Sequence, residues 1–184
     1  DPYIGSGYHG HVFVGTSVPY GMVQLGPSNI HKGWDWCSGY HYSDSILIGF
    51  SHTHLSGTGC IDLGDILFRP SLQTPLAFSH SDEKASPGYY SVNLREAGVL
   101  AELTTTPHVG IHRYTYKKGI EATLVVDMDH LLDNEYIYEG WVKQTGENEL
   151  TGMRRTRGWV DNQYVFFVAQ FSQPFSSMEQ PVSL

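Results

Sequence analysis

The sequence predicts an all-β protein, an antiparallel β-sandwich with long loops in its first 65 residues. Three observations predict it. No window of a dozen residues places apolar side chains at i, i+3, i+4 and i+7, the spacing of an amphipathic helix. Short stretches of alternating apolar and polar residues recur instead at intervals of about ten, with turn residues between them. The composition agrees: 12 Tyr and 20 Gly with only 16% charged residues suit a sheet-rich chain with many tight turns.

The elements follow in order. Gly21–Leu25 and Leu47–Phe50 read as short strands set among frequent glycines and long loops. Tyr89–Leu94 puts Tyr90, Val92 and Leu94 on one face, and Glu96-Ala97-Gly98 turns the chain. Val99–Thr105 returns with Val99, Ala101 and Leu103 together. His112, Tyr114 and Tyr116 share a face before the turn Lys117-Lys118-Gly119, and Ala122, Leu124 and Val126 alternate again. Ile137–Val142, Leu150–Arg157 and Tyr164–Phe171 complete the series, with one short turn of helix expected at His130–Glu135. The tail 172–184 carries Pro174 and Pro181 and loses alternation, which reads as a frayed end or a cut through a longer domain.

A chain of 184 residues fits one domain or one large sandwich. The net charge is −8, and the densest basic cluster is only Arg154, Arg155 and Arg157. Nucleic acid is therefore excluded as a partner, because such binding needs Lys and Arg to neutralise phosphates. Anionic membrane surfaces are excluded for the same reason, and no apolar run reaches the roughly 20 residues of a membrane helix. Cys37 and Cys60 allow one bridge or two buried thiols. The chain opens at Asp1-Pro2 with no Met and no visible signal peptide, as a processed or trimmed segment would.

Candidate chemistry concentrates in Gly33–Asp65. Gly33-Trp34-Asp35-Trp36-Cys37-Ser38-Gly39-Tyr40-His41-Tyr42-Ser43-Asp44 is dense in aromatics. Phe50 to Asp65 adds His52, His54, Thr58, Asp62 and the glycine loop Ser56-Gly57-Thr58-Gly59. Sugars present apolar C–H faces and hydroxyl edges, so a sugar site wants flat aromatics beside a fan of short polar groups. Trp34 and Trp36 are the candidate platform; Asp35, His41, His52, His54, Thr58 and Asp62 are candidate polar edges. A tryptophan-plugged core with a glycine loop is the competing structural reading. His52-Thr53-His54 also has metal-site spacing if it lies in a strand, with Asp62 or Asp65 as a further donor, and His9-Gly10-His11 is a second such pair. No spacing fixes a third ligand. A Ser-His-Asp hydrolase lacks its Gly-x-Ser-x-Gly elbow, and Asp35, Asp44, Asp62 and Asp65 are glycosidase carboxylates by type only.

Gly33–Tyr42, followed by Gly49-Phe50-Ser51-His52-Thr53-His54-Leu55-Ser56-Gly57-Thr58-Gly59-Cys60, resembles the N-terminal domain of glycoside hydrolase family 92. Tyr3–Gly7 with His9-Gly10-His11, Val18–Leu25, Pro87–Val92, Ala101–Thr104, His112–Tyr114 and Gly158 to Phe175 extend the resemblance over nearly the whole chain. The family consists of exo-acting, inverting, calcium-dependent α-mannosidases, many of them α-1,2-specific and bacterial. The resemblance implies a supersandwich-like N-terminal domain over residues 1–184, with its last strands beyond this sequence, and a C-terminal (α/α)6 barrel that this chain lacks. It places the general acid, the general base and most Ca2+ ligands in that barrel, so neither catalytic residues nor metal ligands are expected here. Loops of the sandwich close the pocket around the terminal mannose, and Trp36, Cys37, His41, His52, His54, Thr58, Gly59, Cys60 and Asp62 are the matching substrate-binding positions. The implied partners are an α-mannoside glycan and the C-terminal domain; the implied location is secreted or periplasmic. A stand-alone carbohydrate-binding module and a purely structural docking domain are the alternatives.

Overall fold

The computed structural model describes residues 1–57, 60–132 and 136–179. Among them there is no α-helix, only two 3-10 turns, Trp34–Trp36 and His80–Asp82. No helix is long and apolar enough to cross a membrane. The strands are β1 (Thr16–Ser17), β2 (Gln24–Ser28), β3 (Ile46–Leu47), β4 (Gly49–Ser51), β5 (Leu67–Arg69), β6 (Leu76–Ala77) and β7 (Glu83–Ser86). They continue with β8 (Tyr89–Leu94), β9 (Val99–Thr105), β10 (Gly110–Tyr116), β11 (Val125–Asp127), β12 (Tyr136–Gly146), β13 (Glu149–Arg157) and β14 (Gln163–Gln170). The chain forms two compact units, Asp1–Tyr136 and Ile137–Leu184.

The first unit holds a five-stranded sheet in the order β1-β2-β4-β5-β11, a four-stranded sheet in the order β10-β9-β8-β7, and the small pair β3-β6. All the recorded pairings are antiparallel. The β8–β9 hairpin forms over the residues that the alternation predicts, because Gly98 takes the positive φ (67°) that its turn requires. Its register sets Tyr90 opposite Leu103, Val92 opposite Ala101 and Leu94 opposite Val99. All six are essentially without solvent contact. β10 adds His112, Tyr114 and Tyr116 to the same rows, opposite Leu103, Ala101 and Val99. Leu25 and Phe50 of the five-stranded sheet complete the same core cluster, and β1 and β2 pack on β9. At about 25 cal/mol per Å2 of apolar area, this face is the main stabilising element of the unit.

Several expected elements differ. The strand expected at Gly21–Leu25 is displaced to Gln24–Ser28, and Pro27 sits within it opposite Phe50. The strand expected at Leu47–Phe50 is split into β3 and β4. At the break, a Cβ on Gly49 would lie 2.4 Å from the Leu67 side chain, so only glycine lets the chain pass. Of the stretch from Ala122 to Val126, only Val125 and Val126 pair, and with Asp127 they form a short edge of the five-stranded sheet. His130, Leu131 and Leu132 are not helical, and the rest of the expected helical turn lies outside the described residues.

The second unit is the three-stranded sheet β12-β13-β14. Its pairing brings Met153 opposite Phe166 and Arg155 opposite Tyr164. The Arg155 guanidinium lies 4.6 Å from the Tyr138 ring centre and 5.4 Å from that of Tyr164, within cation–π range.

Candidate functional site

Gly33, at φ 116°, enters the 3-10 turn Trp34–Trp36, which has no side-chain cap at its N-terminus. The turn is held by its own side chains. The Trp36 indole N–H donates to Asp44 Oδ2 (2.9 Å), and its ring stacks on His41 with centres 4.3 Å apart. Lys32 Nζ bonds both oxygens of Asp44 (2.8 and 2.9 Å) and lies over the Trp36 ring. His41 Nε2 meets the carbonyl of Tyr8 (3.1 Å), so that nitrogen carries the hydrogen and Nδ1 accepts from Ser43. Asp44 and His41 are buried, and each polar group in the cluster has a partner, which is what keeps such burial affordable in free energy.

Asp35, between the two tryptophans, points the other way. Its Oδ1 accepts from His9 Nδ1 (2.7 Å) and His11 Nε2 (3.0 Å). Hydrogen bonds from His11 and His9 hold its carboxyl below the usual carboxylate range. The His11 ring meets Trp34 edge-on at 5.8 Å, while Trp34 itself is 59% exposed. The turn thus presents one exposed indole beside a carboxylate pinned by two imidazoles.

The second half of the segment is built inward. β4 ends at Ser51, so His52 and His54 are not in a strand and their rings take separate partners. His54 is buried; its Nδ1 donates to the carbonyl of Gln24 (2.7 Å) and its Nε2 accepts from the Ser51 hydroxyl (2.9 Å). Its ring stacks on Phe13. Desolvation lowers its pKa to about 4. His52 Nδ1 bonds the carbonyl of Ile66 (2.7 Å), and its Nε2 meets His112 Nε2 (2.9 Å). Thr53 binds Asp65 twice, hydroxyl to Oδ2 (2.9 Å) and hydroxyl from the backbone N–H (2.8 Å), while its carbonyl accepts from Gly64 N–H. These bonds close the root of the loop over a strained backbone: Leu63 and Ile66 have φ of 75° and 52°. Among the described residues, the other non-glycine positions with positive φ, Tyr8, His11 and Tyr20, also lie in the first 66, and such strain clusters at functional loops.

The positions expected to bind substrate therefore fall into two groups. Trp36 and His41 pack together, with buried Cys37 following in the chain; His52 and His54 hold the loop root; Asp62 is buried and accepts from Leu63 N–H, and Cys60 is half-buried. Thr58 and Gly59 lie outside the described residues. Sequence reasoning missed Lys32, Gln24, Ser51 and His112 as partners, and Asn29, whose Oδ1 accepts from the His41 backbone N–H (2.7 Å). The spacing of His9 and His11, noted as that of a metal-site pair, instead brings both rings to Asp35. Among the described residues, no group of three or more His, Cys, Asp or Glu side chains is arranged to hold a metal ion. Asp35 and Asp44 are engaged by His and Lys partners, so the set does not fit a Ca2+ site, which takes six to eight oxygens.

The fold and this segment define an all-β domain whose loops present an exposed indole beside a carboxylate held by two imidazoles. Residues 1–181 match the model of the glycosyl hydrolase family 92 N-terminal domain, and the chain belongs to that family. It superposes on a family GH92 α-mannosidase of Bacteroides thetaiotaomicron, solved alone and with mannoimidazole, with a TM-score of 0.90 and 34% identity. That match covers 96% of this chain and 25 to 26% of the other. The GH92 family glycosyl hydrolase ccman5 matches with a TM-score of 0.82 and 26% identity, over 95% of this chain and 26% of its own. An uncharacterized secreted glycosidase of Arthroderma benhamiae is 28% identical over 155 residues, 73% of this chain and 20% of that protein. The chain thus spans a fifth to a quarter of the relatives it matches.

Proposed function

We propose that this chain is the N-terminal part of an inverting, exo-acting α-mannosidase, and that it supplies sugar-recognition loops to an active site completed by a C-terminal domain. The carrying observation is the exposed Trp34 beside the pinned Asp35, on a turn fixed from below by Trp36, His41, Asp44 and Lys32. Trp34 stacks on a sugar face, and Asp35 with His9 accepts or donates at hydroxyl edges. Trp36, Cys37 and His41 support that platform. His52 and His54 shape the loop that bears Thr58, Gly59, Cys60 and Asp62, which closes over the terminal mannose. The general acid, the general base and most of the Ca2+ ligands lie outside residues 1–184, and the parent enzyme is secreted or periplasmic in a bacterium.

The physical basis is that glycoside hydrolysis needs two carboxyl groups flanking one bond. In this segment Asp35 and Asp44 are committed to cationic or imidazole partners. The chain is expected to hydrolyse no aryl α-mannoside, and to bind mannose and α-1,2-mannobiose at millimolar levels or not at all by calorimetry. Turnover by the pure chain overturns the placement of acid and base. Micromolar binding that Trp34→Ala abolishes favours a self-sufficient carbohydrate-binding module.

A further inference from the structure

Tyr114 and His112, which the sugar reading leaves unused, join His52 in one line of hydrogen bonds. Tyr114 Oη lies 2.7 Å from His112 Nδ1; His112 Nε2 lies 2.9 Å from His52 Nε2; His52 Nδ1 lies 2.7 Å from the carbonyl oxygen of Ile66. The last contact fixes the direction of the rest. A carbonyl only accepts, so His52 Nδ1 carries a hydrogen. A neutral His52 then offers a lone pair at Nε2, and His112 Nε2 must donate to it. His112 Nδ1 is left as an acceptor, which the Tyr114 hydroxyl fills. Every donor and acceptor is used once, and the line runs one way from β10 to the loop root.

One added proton breaks this order. A hydrogen on His52 Nε2 would face the hydrogen on His112 Nε2. Contact returns only if His112 moves its hydrogen to Nδ1, and Tyr114 must then accept. Its own hydroxyl hydrogen has no second hydrogen-bond partner among the described residues. An aromatic ring, not a hydrogen-bond acceptor, faces the two imidazoles. Phe68 packs on both rings. Desolvation lowers the pKa of both imidazoles and raises that of Tyr114, and His52 further lowers His112 and His54. The charged group nearest in the chain, Asp65, takes the Thr53 hydroxyl with its carboxylate.

We propose that Tyr114, His112, His52 and the Ile66 carbonyl form an acid-sensitive latch, which ties the inner face of the four-stranded sheet to the root of the loop after His52 in this order while both imidazoles are neutral, turns Tyr114 from donor to acceptor when one proton is added, and parts at the His52–His112 contact when both rings are charged. The latch includes the strained Ile66, so releasing it removes one of the bonds that hold that conformation and leaves the Thr53–Asp65 pair to hold the root. The proposal stands apart from the sugar reading, since its outcome is set by proton positions alone.

The test is nitrogen-15 NMR of the imidazoles in the 184-residue chain between pH 8 and 4.5, assigned with His112→Gln. At pH 6 His52 is expected as the Nδ1–H tautomer and His112 as the Nε2–H tautomer, both neutral, where a free histidine with a pKa of about 6.5 is mostly charged. The two titrate as a pair. Tyr114→Phe removes the donor at the head of the line. It should move the pair's protonation upward by about half a pH unit to one unit, the size of one neutral hydrogen bond. Imidazolium signals from either ring growing in near pH 6.5, or the opposite tautomers, overturn the proposal. So does an unmoved midpoint in a folded Tyr114→Phe protein. Should that variant not fold, the tautomers of the unmodified protein decide alone.

Discussion

Two stretches that each carry histidine and a pair of aspartates, Gly33–Asp44 and Phe50–Asp65, have opposite constructions. The first adds four aromatic residues to one histidine, the second one aromatic residue to two histidines. In the first, polar partners sit beneath an indole that faces solvent: Asp44 takes Lys32 and Trp36, and Trp34 stays exposed. In the second, the rings face inward and bond backbone carbonyls of distant segments, His54 to Gln24 and His52 to Ile66. Residue type alone does not separate a surface made for contact from a root made for rigidity. What separates them is where the ring nitrogens find partners.

The contrast can be broken hardest from the inner side. His54→Ala removes a buried ring stacked on Phe13 and leaves the Ser51 hydroxyl and the Gln24 carbonyl without that partner. Urea unfolding should show a loss of about 3 kcal/mol. Gly39→Ala attacks the same ring from the other side. Gly39 sits at φ 82°, and a Cβ there would lie 2.7 Å from His54 Cδ2. A loss of about 2 kcal/mol is expected from the strain and the clash together. A neutral result would place His54 elsewhere.

Acid sharpens the contrast. The folded pKa of His54 is lowered to about 4 against its ordinary value of 6.5. As pH falls below 6.5 the unfolded chain takes up a proton that the folded chain refuses. Stability is therefore retained above pH 6.5 and lost progressively down to about pH 4, at up to about 1.4 kcal/mol per pH unit from this residue. His52 and His112 act in the same direction. Asp35 has a lowered pKa too, but for a carboxyl this matters only below its ordinary 3.8, outside this window. Denaturation midpoints at pH 7, 6, 5 and 4.5 should fall steadily in the unmodified protein and less steeply in His54→Gln.

The outer side gives the smaller changes. Trp36→Ala loses a half-buried ring, its stack on His41 and its bond to Asp44, for about 2 kcal/mol. Trp34→Ala should stay within about 0.5 kcal/mol in the same assay, because its ring is already 59% exposed. A large loss at Trp34 would mean that the platform is core.

The β8–β9 hairpin was legible because its information is local: alternation, a glycine turn and two strands adjacent in sequence. The two-residue strands β1, β3 and β6 were not, since so short a stretch has no period and exists only through its partner. The expected common face for His52 and His54 assumed that a strand continued past Ser51, which local sequence does not decide. The aromatic segment was legible as a place, and Trp34 and Asp35 as platform and edge candidates. Its wiring was not: His112 meets His52 from 60 residues away, and His9 reaches Asp35 across 26. Nothing in either neighbourhood marks such a pairing.

Two glycines far from the loop bear on how it can be exchanged between proteins. A Cβ on Gly39 would collide with His54, and one on Gly110 would lie 2.7 Å from His52 Cδ2. Each histidine thus rests on a bare stretch of backbone belonging to another segment. The loop after Phe50 is consequently not a cassette. Grafted onto a different sandwich, it would need both vacant footprints already in place, and a host with alanine at either one would reject it before any ligand was offered.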